Sequence, residues 1–232
     1  MPGATDYIDG TYLEQNPDWH VADAPWKAEQ ILLMLGRNRV TPATILDVGC
    51  GAGEILSLLQ QSFGARCELW GTDVSPQAIE LTRERENETL HFSLWGSRPW
   101  TGKFFDLVLV IDVLAHVEDY RGFLREIKKF GAYKLLHIPV DISVQHILRD
   151  KAMADRRKVH PHLHYFTKST AMFTLNDLGF EILDWRYTPR AIDHPDHPQS
   201  KLLKLPRRVL FGLNQDFAAT LLGGFSLMVL AK

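Results

Sequence analysis

The sequence predicts an α/β fold, a doubly wound and mostly parallel sheet with helices on both faces. Short apolar stretches alternate with stretches of helical periodicity along most of the chain, the order typical of strand–helix–strand units. Phe105 to Ile111 is apolar at all positions but one, as expected for a strand buried on both faces. The run Ile45 to Val48 stops at closely spaced glycines, and a helical pattern begins beyond them, which indicates a strand, a tight turn and a helix start.

The remaining elements follow in order. Strands are predicted at Ile45 to Val48, Glu68 to Asp73, Leu90 to Trp95, Phe105 to Ile111, Tyr133 to Pro139, Phe180 to Tyr187 and Phe225 to Ala231. Helices are predicted at Trp26 to Arg37, Ile55 to Phe63, Pro76 to about Glu86, Tyr120 to Phe130 and Thr167 to Leu178. Ser75 is the expected cap of the third helix, with Pro76 at its first position. No helix packed tightly against the sheet is evident between the last two strands.

The chain is predicted to be a single domain covering residues 1–232. Residues 1–40 form a helical N-terminal cap region, and residues 141–166 and 188–224 are lid or insert segments. The first of these segments follows the fifth strand at the carboxyl end of the sheet, where open α/β sheets bind ligands, and a long connection there is a candidate substrate lid. Among the N-terminal aromatic residues, Tyr12 and Trp19 are expected to lie nearest to the pocket.

Composition argues against several classes of protein. The net charge of −2 and the pI near 6.5 give no electrostatic footprint for nucleic acid, so no nucleic-acid partner is expected. Cys50 and Cys67 are too few for a disulfide framework or a zinc motif and favour a reducing compartment. No signal-peptide layout is evident, and no apolar run reaches the roughly 18 residues that a membrane span needs. We therefore expect a cytoplasmic monomer or homodimer without stable membrane insertion.

A basic and apolar region lies near the C-terminus. Lys204, Arg207 and Arg208 form its basic cluster, which is interpreted as a solvated helix face. Leu202 to Leu222 is apolar and partly basic. A core or dimer contact is favoured for this stretch, and docking to a membrane surface remains the alternative.

The glycines after the first strand indicate the type of cofactor. Gly49, Gly51 and Gly53 follow a G-x-G-x-G pattern, which differs from the dinucleotide fingerprint G-x-G-x-x-G. Asp47 precedes them, where a carboxylate disfavours a pyrophosphate and tolerates a sulfonium or ammonium group. Asp73 lies 20 residues beyond Gly53 at the end of the second strand, where a carboxylate can bind both hydroxyls of a ribose. This combination predicts an S-adenosylmethionine site.

Several stretches, in their order and spacing, resemble the class I S-adenosylmethionine-dependent methyltransferases. The stretches are Ile45 to Gly53, Gly71 to Asp73, Phe105 to Val108 and Asp112 to Asp119. The tail, His164 to Thr167 and Leu178 to Glu181, is similar to the small-molecule branch of that family. The resemblance covers about residues 28 to 187. It implies a seven-stranded, Rossmann-like sheet whose last strand runs antiparallel to the others.

The resemblance also implies roles for individual residues. Gly49, Gly51 and Gly53 would form the turn beneath the methionine part of the cofactor, with Asp47 helping to place its amino acid end. Asp73 would bind the ribose and Val74 would lie against the adenine. The family often has an acid after the third strand, but this chain has Trp95 there, for which adenine stacking is the expectation. Asp112, after the fourth strand, would pass beside the sulfonium.

Histidines are the candidate catalytic residues. His116 lies five residues past the fourth strand and is a candidate base for an acceptor hydroxyl; the alternative is that it fixes its loop and packs against the helix that follows. His160, His162 and His164 alternate, so on a strand they would share one side. With only Asp155 nearby, no metal site is predicted. One of the three is instead expected at the acceptor site, and His164 is the residue we select.

Two further polar residues are expected near the fifth strand. His137 is interpreted as a buried, hydrogen-bonded histidine, and Asp141 can face the acceptor. Together these features predict an enzyme that transfers a methyl group from S-adenosylmethionine to a small molecule. Because the cofactor is already activated, the protein need mainly hold the nucleophile in line. Oxygen is the preferred acceptor atom. An N-methyltransferase, a methyltransferase acting on protein or peptide, and a non-catalytic S-adenosylmethionine-binding protein are the alternatives.

Overall fold

The computed structural model describes residue 19 and residues 21–148, 162–194 and 198–232. The strands are β1 (Thr44–Val48), β2 (Glu68–Asp73), β3 (Leu90–Leu94), β4 (Phe105–Ile111), β5 (Gly131–Pro139), β6 (Ile182–Thr188) and β7 (Ser226–Ala231). The helices are α1 (Ala24–Arg37), α2 (Glu54–Phe63), α3 (Pro76–Thr82), α4 (Tyr120–Ile127), α5 (Val144–Ile147), α6 (Lys168–Asp177), α7 (Arg190–Asp193), α8 (Pro198–Leu213) and α9 (Gln215–Leu222). Short 3-10 helices include Leu114–His116.

The strands form one seven-stranded sheet in the order β3-β2-β1-β4-β5-β7-β6. All neighbours pair in parallel except β7, which runs antiparallel to both β5 and β6. The predicted α/β fold, a doubly wound, mostly parallel sheet with an antiparallel last strand, is confirmed. The parallel strands all end at one edge of the sheet, which we call the carboxyl edge, and β7 begins there.

Apolar side chains cover both faces of the sheet because successive strand residues point to opposite sides. On one face, Leu107 and Leu109 of β4 pack with residues of α1 and α2. On the other face, Val108 and Val110 pack with residues of α4 and α6. These β4 side chains are fully buried, and burial of each contributes about 1.5–3 kcal/mol. The prediction that Phe105 to Ile111 is buried on both faces is confirmed.

Polar caps fix the starts of the helices that lead away from the carboxyl edge. The Ser75 hydroxyl accepts the backbone N–H of Ala78, and Pro76 occupies the first turn of α3, as predicted. The Asp119 carboxylate accepts the N–H of Gly122 at 2.8 Å to begin α4. Each cap satisfies a backbone donor that the helix itself leaves unpaired.

Two predictions near the C-terminus are wrong. Helices α7, α8 and α9 all lie between β6 and β7 and contribute side chains to the core, although no tightly packed helix was expected there. The prolines obscured them, because Pro198 begins α8, where a proline is tolerated, and Pro206 lies inside it. Arg207 was expected on a solvated face, but it is only 4% exposed, because α8 turns this position towards the end of α9.

Smaller differences concern element ends. The α-helix expected to reach about Glu86 ends at Thr82 and continues as a 3-10 helix through Arg85. Strand β5 begins two residues earlier than predicted, at Gly131. None of the helices in the described part of the chain combines the length and the apolar composition that crossing a membrane requires.

Candidate functional site

The glycine turn lies at the carboxyl edge, between β1 and α2. Gly49, Gly51 and Gly53 have φ values of +83°, +54° and +78°, a region that side-chain-bearing residues rarely adopt. A Cβ atom on Gly49 would lie 2.3 Å from Cγ2 of Val113, and one on Gly53 would lie 2.6 Å from the Phe92 ring. The turn therefore requires glycine for both its backbone conformation and its close packing.

Asp73, at the end of β2, is bonded to this turn. One carboxylate oxygen accepts the N–H of Gly51 at 2.9 Å and the other accepts the N–H of Ser75 at 2.9 Å. Burial raises the pKa of Asp73, and the hydrogen bonds from Ser75 and Gly51 counter that rise. Asp73 therefore fixes the glycine turn and the start of α3 together.

Asp47 lies at the end of β1 and is 1% exposed. Its Oδ1 has no hydrogen-bond partner among the residues that the structure describes. Burial, together with the nearby negative charge of Asp73, raises the pKa of Asp47 to about 7, and Lys27 opposes the shift. A buried carboxyl oxygen without a partner is costly, and a positively charged ligand group would relieve that cost. This site therefore fits the cofactor that the sequence predicts.

Aromatic residues lie close to the turn. A Cβ on Gly51 would contact Cε3 of Trp19 at 3.6 Å, so the Trp19 ring covers this part of the turn. Tyr12, which was expected beside it, lies outside the described residues. Val74 follows Asp73 and is 43% exposed, which leaves its side chain open to a ligand.

Trp95 belongs to an aromatic cluster after β3. Its ring lies 6.0 Å from the rings of Trp100 and Phe130, and the Arg98 guanidinium lies 3.9 Å from the Trp95 ring centroid. The backbone N–H of Trp95 donates to the backbone carbonyl of Asp73 at 2.8 Å, which places Trp95 next to the end of β2. Its stacking on an adenine stays a prediction, and Arg98 already occupies one side of the ring.

Asp112 joins a network that crosses the carboxyl edge. Its carboxylate lies 2.8 Å from Nζ of Lys27 and 2.6 Å from Nδ1 of His137, and Nε2 of His137 lies 2.7 Å from the Thr188 hydroxyl. Burial acts to raise the pKa of Asp112, but His137 and Lys27 outweigh it and hold the pKa well below its usual range. His137 is 3% exposed, which confirms its interpretation as a buried, hydrogen-bonded residue.

The backbone of Asp112 also bears on the site. Its φ is +60°, an uncommon value for a residue other than glycine, and Val113 immediately follows against Gly49. The network thus holds a strained turn beside the glycine turn. The expected position of Asp112 beside the cofactor sulfonium stays a prediction.

His116, His162 and Asp141 meet beyond the ends of β4 and β5. Nδ1 of His162 lies 2.8 Å from Oδ2 of Asp141, and both residues are less than 10% exposed. The rings of His116 and His162 are 4.7 Å apart in an edge-to-face arrangement. The N–H groups of Leu163 and His164 both donate to the Ala115 carbonyl, which docks this segment onto the turn that carries His116.

The His164 side chain is directed away from the cluster of His116, His162 and Asp141. Its Nε2 lies 3.0 Å from the carbonyl oxygen of Glu118, and its ring is 4.7 Å from that of Tyr120. His160 lies outside the described residues. No group of three potential ligands that could hold a metal ion is present among the described residues.

Sequence reasoning missed two pairings at this site. Lys27 gave no functional signal, because it lies in an ordinary amphipathic helix 85 residues before Asp112. The Asp141–His162 pair had a partial signal: the alternating histidines and an acid just past β5 were both noted, but nothing in the spacing joined them.

Comparison with known proteins supports the assignment of the fold and the family. A family model described as a methyltransferase domain matches residues 20–184. The mitochondrial ubiquinone biosynthesis O-methyltransferase of Schizosaccharomyces pombe is 39% identical over 98 residues, 38% of this chain and 34% of that protein. Nodulation protein S of Bradyrhizobium diazoefficiens is 34% identical over 111 residues, 42% of this chain and 51% of that protein. The chain thus spans about a third to a half of these curated relatives.

Solved structures match over nearly the whole chain. The plantazolicin methyltransferase BpumL in complex with SAH superposes with a TM-score of 0.65 at 16% identity, covering 99% of this chain and 93% of that one. The N-methyltransferase NodS from Bradyrhizobium japonicum WM9, in complex with S-adenosyl-L-homocysteine, gives a TM-score of 0.59 at 17% identity and covers 95% and 97%. At these identities the structural matches show the shared fold.

The family model covers more than half of the chain and includes the glycine turn, Asp73, Lys27, Asp112 and His137. The sheet order and its antiparallel last strand agree with it. The chain therefore belongs to the methyltransferase domain family, which confirms the predicted class I S-adenosylmethionine-dependent methyltransferase.

Proposed function

We propose that this protein transfers a methyl group from S-adenosyl-L-methionine to a small-molecule acceptor at the carboxyl edge, with oxygen as the preferred acceptor atom. The observation that carries the proposal is the buried Oδ1 of Asp47, which has no partner among the described residues and lies at the end of β1 beside the glycine turn. A positively charged ligand matches such an oxygen better than a pyrophosphate does.

The residues proposed to hold the cofactor surround this turn. They are Asp47, Gly49, Gly51, Gly53, Asp73, Val74, Trp95 and Asp112. Their backbone and carboxylate groups would orient the cofactor, and Trp19 over Gly51 would exclude water from the turn. An activated methyl group is what S-adenosylmethionine supplies when bound. The protein therefore need mainly align the acceptor atom and exclude solvent around it.

The proposed base is His116, supported by its contact with His162. Asp141 holds Nδ1 of His162, which fixes the orientation of that ring, and the His162 ring packs against the ring of His116. His116 would take the proton from an acceptor hydroxyl. His164 was also predicted to act at the acceptor site, and we propose that it orients the wall of that site through Glu118 and Tyr120.

Calorimetry with S-adenosylmethionine and S-adenosylhomocysteine tests the cofactor assignment directly. We expect both to bind, and the affinity for S-adenosylmethionine should fall in Asp47→Asn. If neither compound binds the wild-type protein, the proposed function is wrong.

Methyl transfer is tested by screening metabolites with isotopically labelled S-adenosylmethionine. Once an acceptor is found, His116→Ala should lower kcat by about 10²-fold or more, the range typical of a general base. His91→Ala is the matched control, because His91 lies in β3 and packs against Trp70. Equal loss in both variants would contradict the role of His116.

A nitrogen acceptor is the second candidate. The norajmaline N-methyltransferase of Rauvolfia serpentina is 29% identical over 98 residues, and the structural match to NodS is also to an N-methyltransferase. Mass spectrometry of the methylated product distinguishes the two, because O- and N-methyl groups fragment differently. The net charge of −2 disfavours nucleic acid as acceptor. A cytoplasmic monomer or homodimer remains our expectation for the working protein.

A further inference from the structure

Helix α8 presents a row of large apolar side chains to solvent. Leu202 is 79% exposed, Leu205 69%, Val209 53% and Leu213 79%. They are spaced by three or four residues, so they lie on one side of the helix. We call these four residues the apolar stripe. Phe217, at the start of α9, is 53% exposed. Exposed apolar residues grouped in this way mark an interaction surface.

The apolar stripe is distinct from the face that packs α8 onto the protein. Arg207 is buried, and its guanidinium donates to the carbonyl of Leu222 at 3.3 Å. Leu210 and Phe211 pack against the core, and Phe211 stacks on Phe225 with ring centroids 5.1 Å apart. Since α8 already has a packed face, the expectation of a core contact holds for that face and does not account for the stripe.

The charge of α8 indicates what covers the apolar stripe. Residues 198–213 contain no Asp or Glu. Lys201, Lys204 and Arg208 form no ion pair with other described residues. On a helix with 3.6 residues per turn, Lys201 and Arg208 flank the stripe on one side. Two copies paired through this surface would bring like charges together, which disfavours self-association.

We propose that α8 docks on an anionic lipid surface. The apolar stripe would enter the boundary between headgroups and acyl chains, Lys201 and Arg208 beside it would contact the phosphates, and Lys204 farther round the helix would add to the positive charge that attracts the surface. An apolar face flanked by Lys and Arg is the pattern of a helix that lies in the plane of a membrane. Such docking places α8 on the surface and needs no spanning helix. The connection from β6 to β7 begins and ends at the carboxyl edge, so docking would hold that edge close to the lipid.

Vesicle co-sedimentation tests the proposal with the full chain. One set of vesicles is phosphatidylcholine alone, and the other contains about 30% phosphatidylglycerol to give the surface the negative potential that attracts basic segments. We expect binding to the anionic vesicles, weakened by added salt because salt screens the charges. The triple variant L202Q/L205Q/V209Q should bind more weakly by about tenfold or more, because its apolar side chains no longer insert into the membrane.

The matched control is Phe104→Gln. Phe104 is 66% exposed and directly precedes β4, at the opposite edge of the sheet, so this change should leave vesicle binding unaltered. Thermal melting checks that each variant is folded, which is expected because the substituted side chains are exposed. The charge variant K201Q/K204Q/R208Q should also lose binding.

Three results would overturn the proposal. One is absence of binding to anionic vesicles by the folded wild-type protein, and another is equal binding to neutral and anionic vesicles. The third is a dimer in analytical ultracentrifugation that the triple variant dissociates, since that assigns the stripe to a second copy of the chain. None of these results depends on methyl transfer, so the outcome is separable from that of the proposed function.

Discussion

At the scale of single residues, the site rests on two buried carboxyl groups. Asp47 and Asp73 end neighbouring strands of the sheet, and burial together with the negative charge of Asp73 raises the pKa of Asp47. They differ in their partners. Asp73 is held by the N–H groups of Gly51 and Ser75, whereas Asp47 keeps an oxygen without a partner among the described residues. Asp73 therefore shapes the turn, and Asp47 is the carboxyl group that we propose meets the cationic part of the cofactor.

Replacing Asp73 with Ala should weaken S-adenosylhomocysteine binding by about tenfold or more, which is about 1.4 kcal/mol, the scale of a hydrogen bond to a charged group. The turn loses its bond at Gly51, and the predicted ribose contact is also lost. Calorimetry measures the change in affinity.

Asp106→Ala provides a matched control at the amino edge of the sheet. The Asp106 carboxylate also accepts two backbone N–H groups, from Ala43 at 2.8 Å and Thr44 at 3.0 Å. This variant should lose stability and retain affinity. Unchanged affinity in Asp73→Ala would remove the ribose assignment.

Asp47 should make the protein less stable as pH rises. Its pKa is about 7 in the folded state, above the ordinary value of 3.8, so the folded state keeps a proton that the unfolded state has lost. The free energy of unfolding therefore falls between about pH 4 and pH 7, by about 1.4 kcal/mol per pH unit at most. Above the folded pKa the loss is complete.

Asp47→Asn removes this titration, so its stability relative to wild type should improve as pH rises. Urea unfolding at about pH 5 and about pH 7.5 measures the difference between the two proteins. The raised pKa of Asp73 acts in the same direction in both proteins and largely cancels. A difference that is the same at both pH values would contradict the assigned shift.

Residue positions show how far the sequence alone could lead. The spacing of Asp47, the glycines and Asp73 indicated the cofactor site because these residues lie on consecutive strand ends, whose separation along the chain is regular. Partners such as Lys27 and Asp112, or Asp141 and His162, meet only through the fold. Their contacts depend on which strands are neighbours, and short-range patterns carry no such information.

At the scale of elements, α1 is tied to the carboxyl edge by several polar contacts. Lys27 pairs with Asp112 at 2.8 Å, and the Trp26 indole N–H donates to Asp193 of α7 at 3.0 Å. Just before the helix, Asp23 pairs with Arg190 at 2.5 Å. These contacts join the start of α1 to the end of β4 and to the segment after β6. Helix α1 is therefore part of the site's frame, beyond its apolar packing on the sheet.

Replacing Lys27 with Met should destabilise the protein by about 2 kcal/mol, because it leaves the partly buried Asp112 carboxylate, whose side chain is 27% exposed, with one partner fewer. Chemical denaturation measures the loss. Arg37→Met at the other end of α1 is the matched control. Its side chain is 62% exposed in the ion pair with Asp184, and exposed pairs contribute about 0–1 kcal/mol. Equal losses in the two variants would contradict the role given to the Lys27 pair.

The elements also differ in how readily the sequence revealed them. The buried strands were located within one or two residues of their ends because each is a compact apolar run. Helix α8 was not predicted to pack on the core, because its prolines and its basic and apolar composition do not follow the pattern of a helix with one apolar face. It has two such faces, one packed around Phe211 and one exposed as the apolar stripe.

At the scale of the whole molecule, stability should be uneven. The central strands β1, β4 and β5 lie between two apolar layers and are paired on both sides. Helix α8 contacts the protein along one side only, and β3 is an edge strand. Amides in well-buried elements exchange only through large unfolding events, whereas those in sparsely packed elements exchange through local opening.

Hydrogen exchange read by mass spectrometry should therefore show slowest exchange in β4 and β5 and faster exchange in α8. Adding S-adenosylhomocysteine should slow exchange at residues 49–54 and 73–78 and leave residues 201–213 unchanged. Anionic vesicles should slow exchange at residues 201–213 and leave exchange at residues 49–54 and 73–78 unchanged. Protection of α8 by S-adenosylhomocysteine alone would contradict this prediction, because it would show that the cofactor site and the apolar stripe are coupled.

The antiparallel entry of β7 has a consequence for how such a protein can diversify. Because β6 and β7 are adjacent and antiparallel, the helices between them are, in topological terms, the loop of one long hairpin. A hairpin loop can be lengthened, shortened or exchanged without altering strand order or register elsewhere. The half of the sheet that carries the glycine turn can then be inherited intact while this loop diverges. Grafting the β6–β7 loop from one relative to another is therefore a route to placing the same chemistry at a different site in the cell.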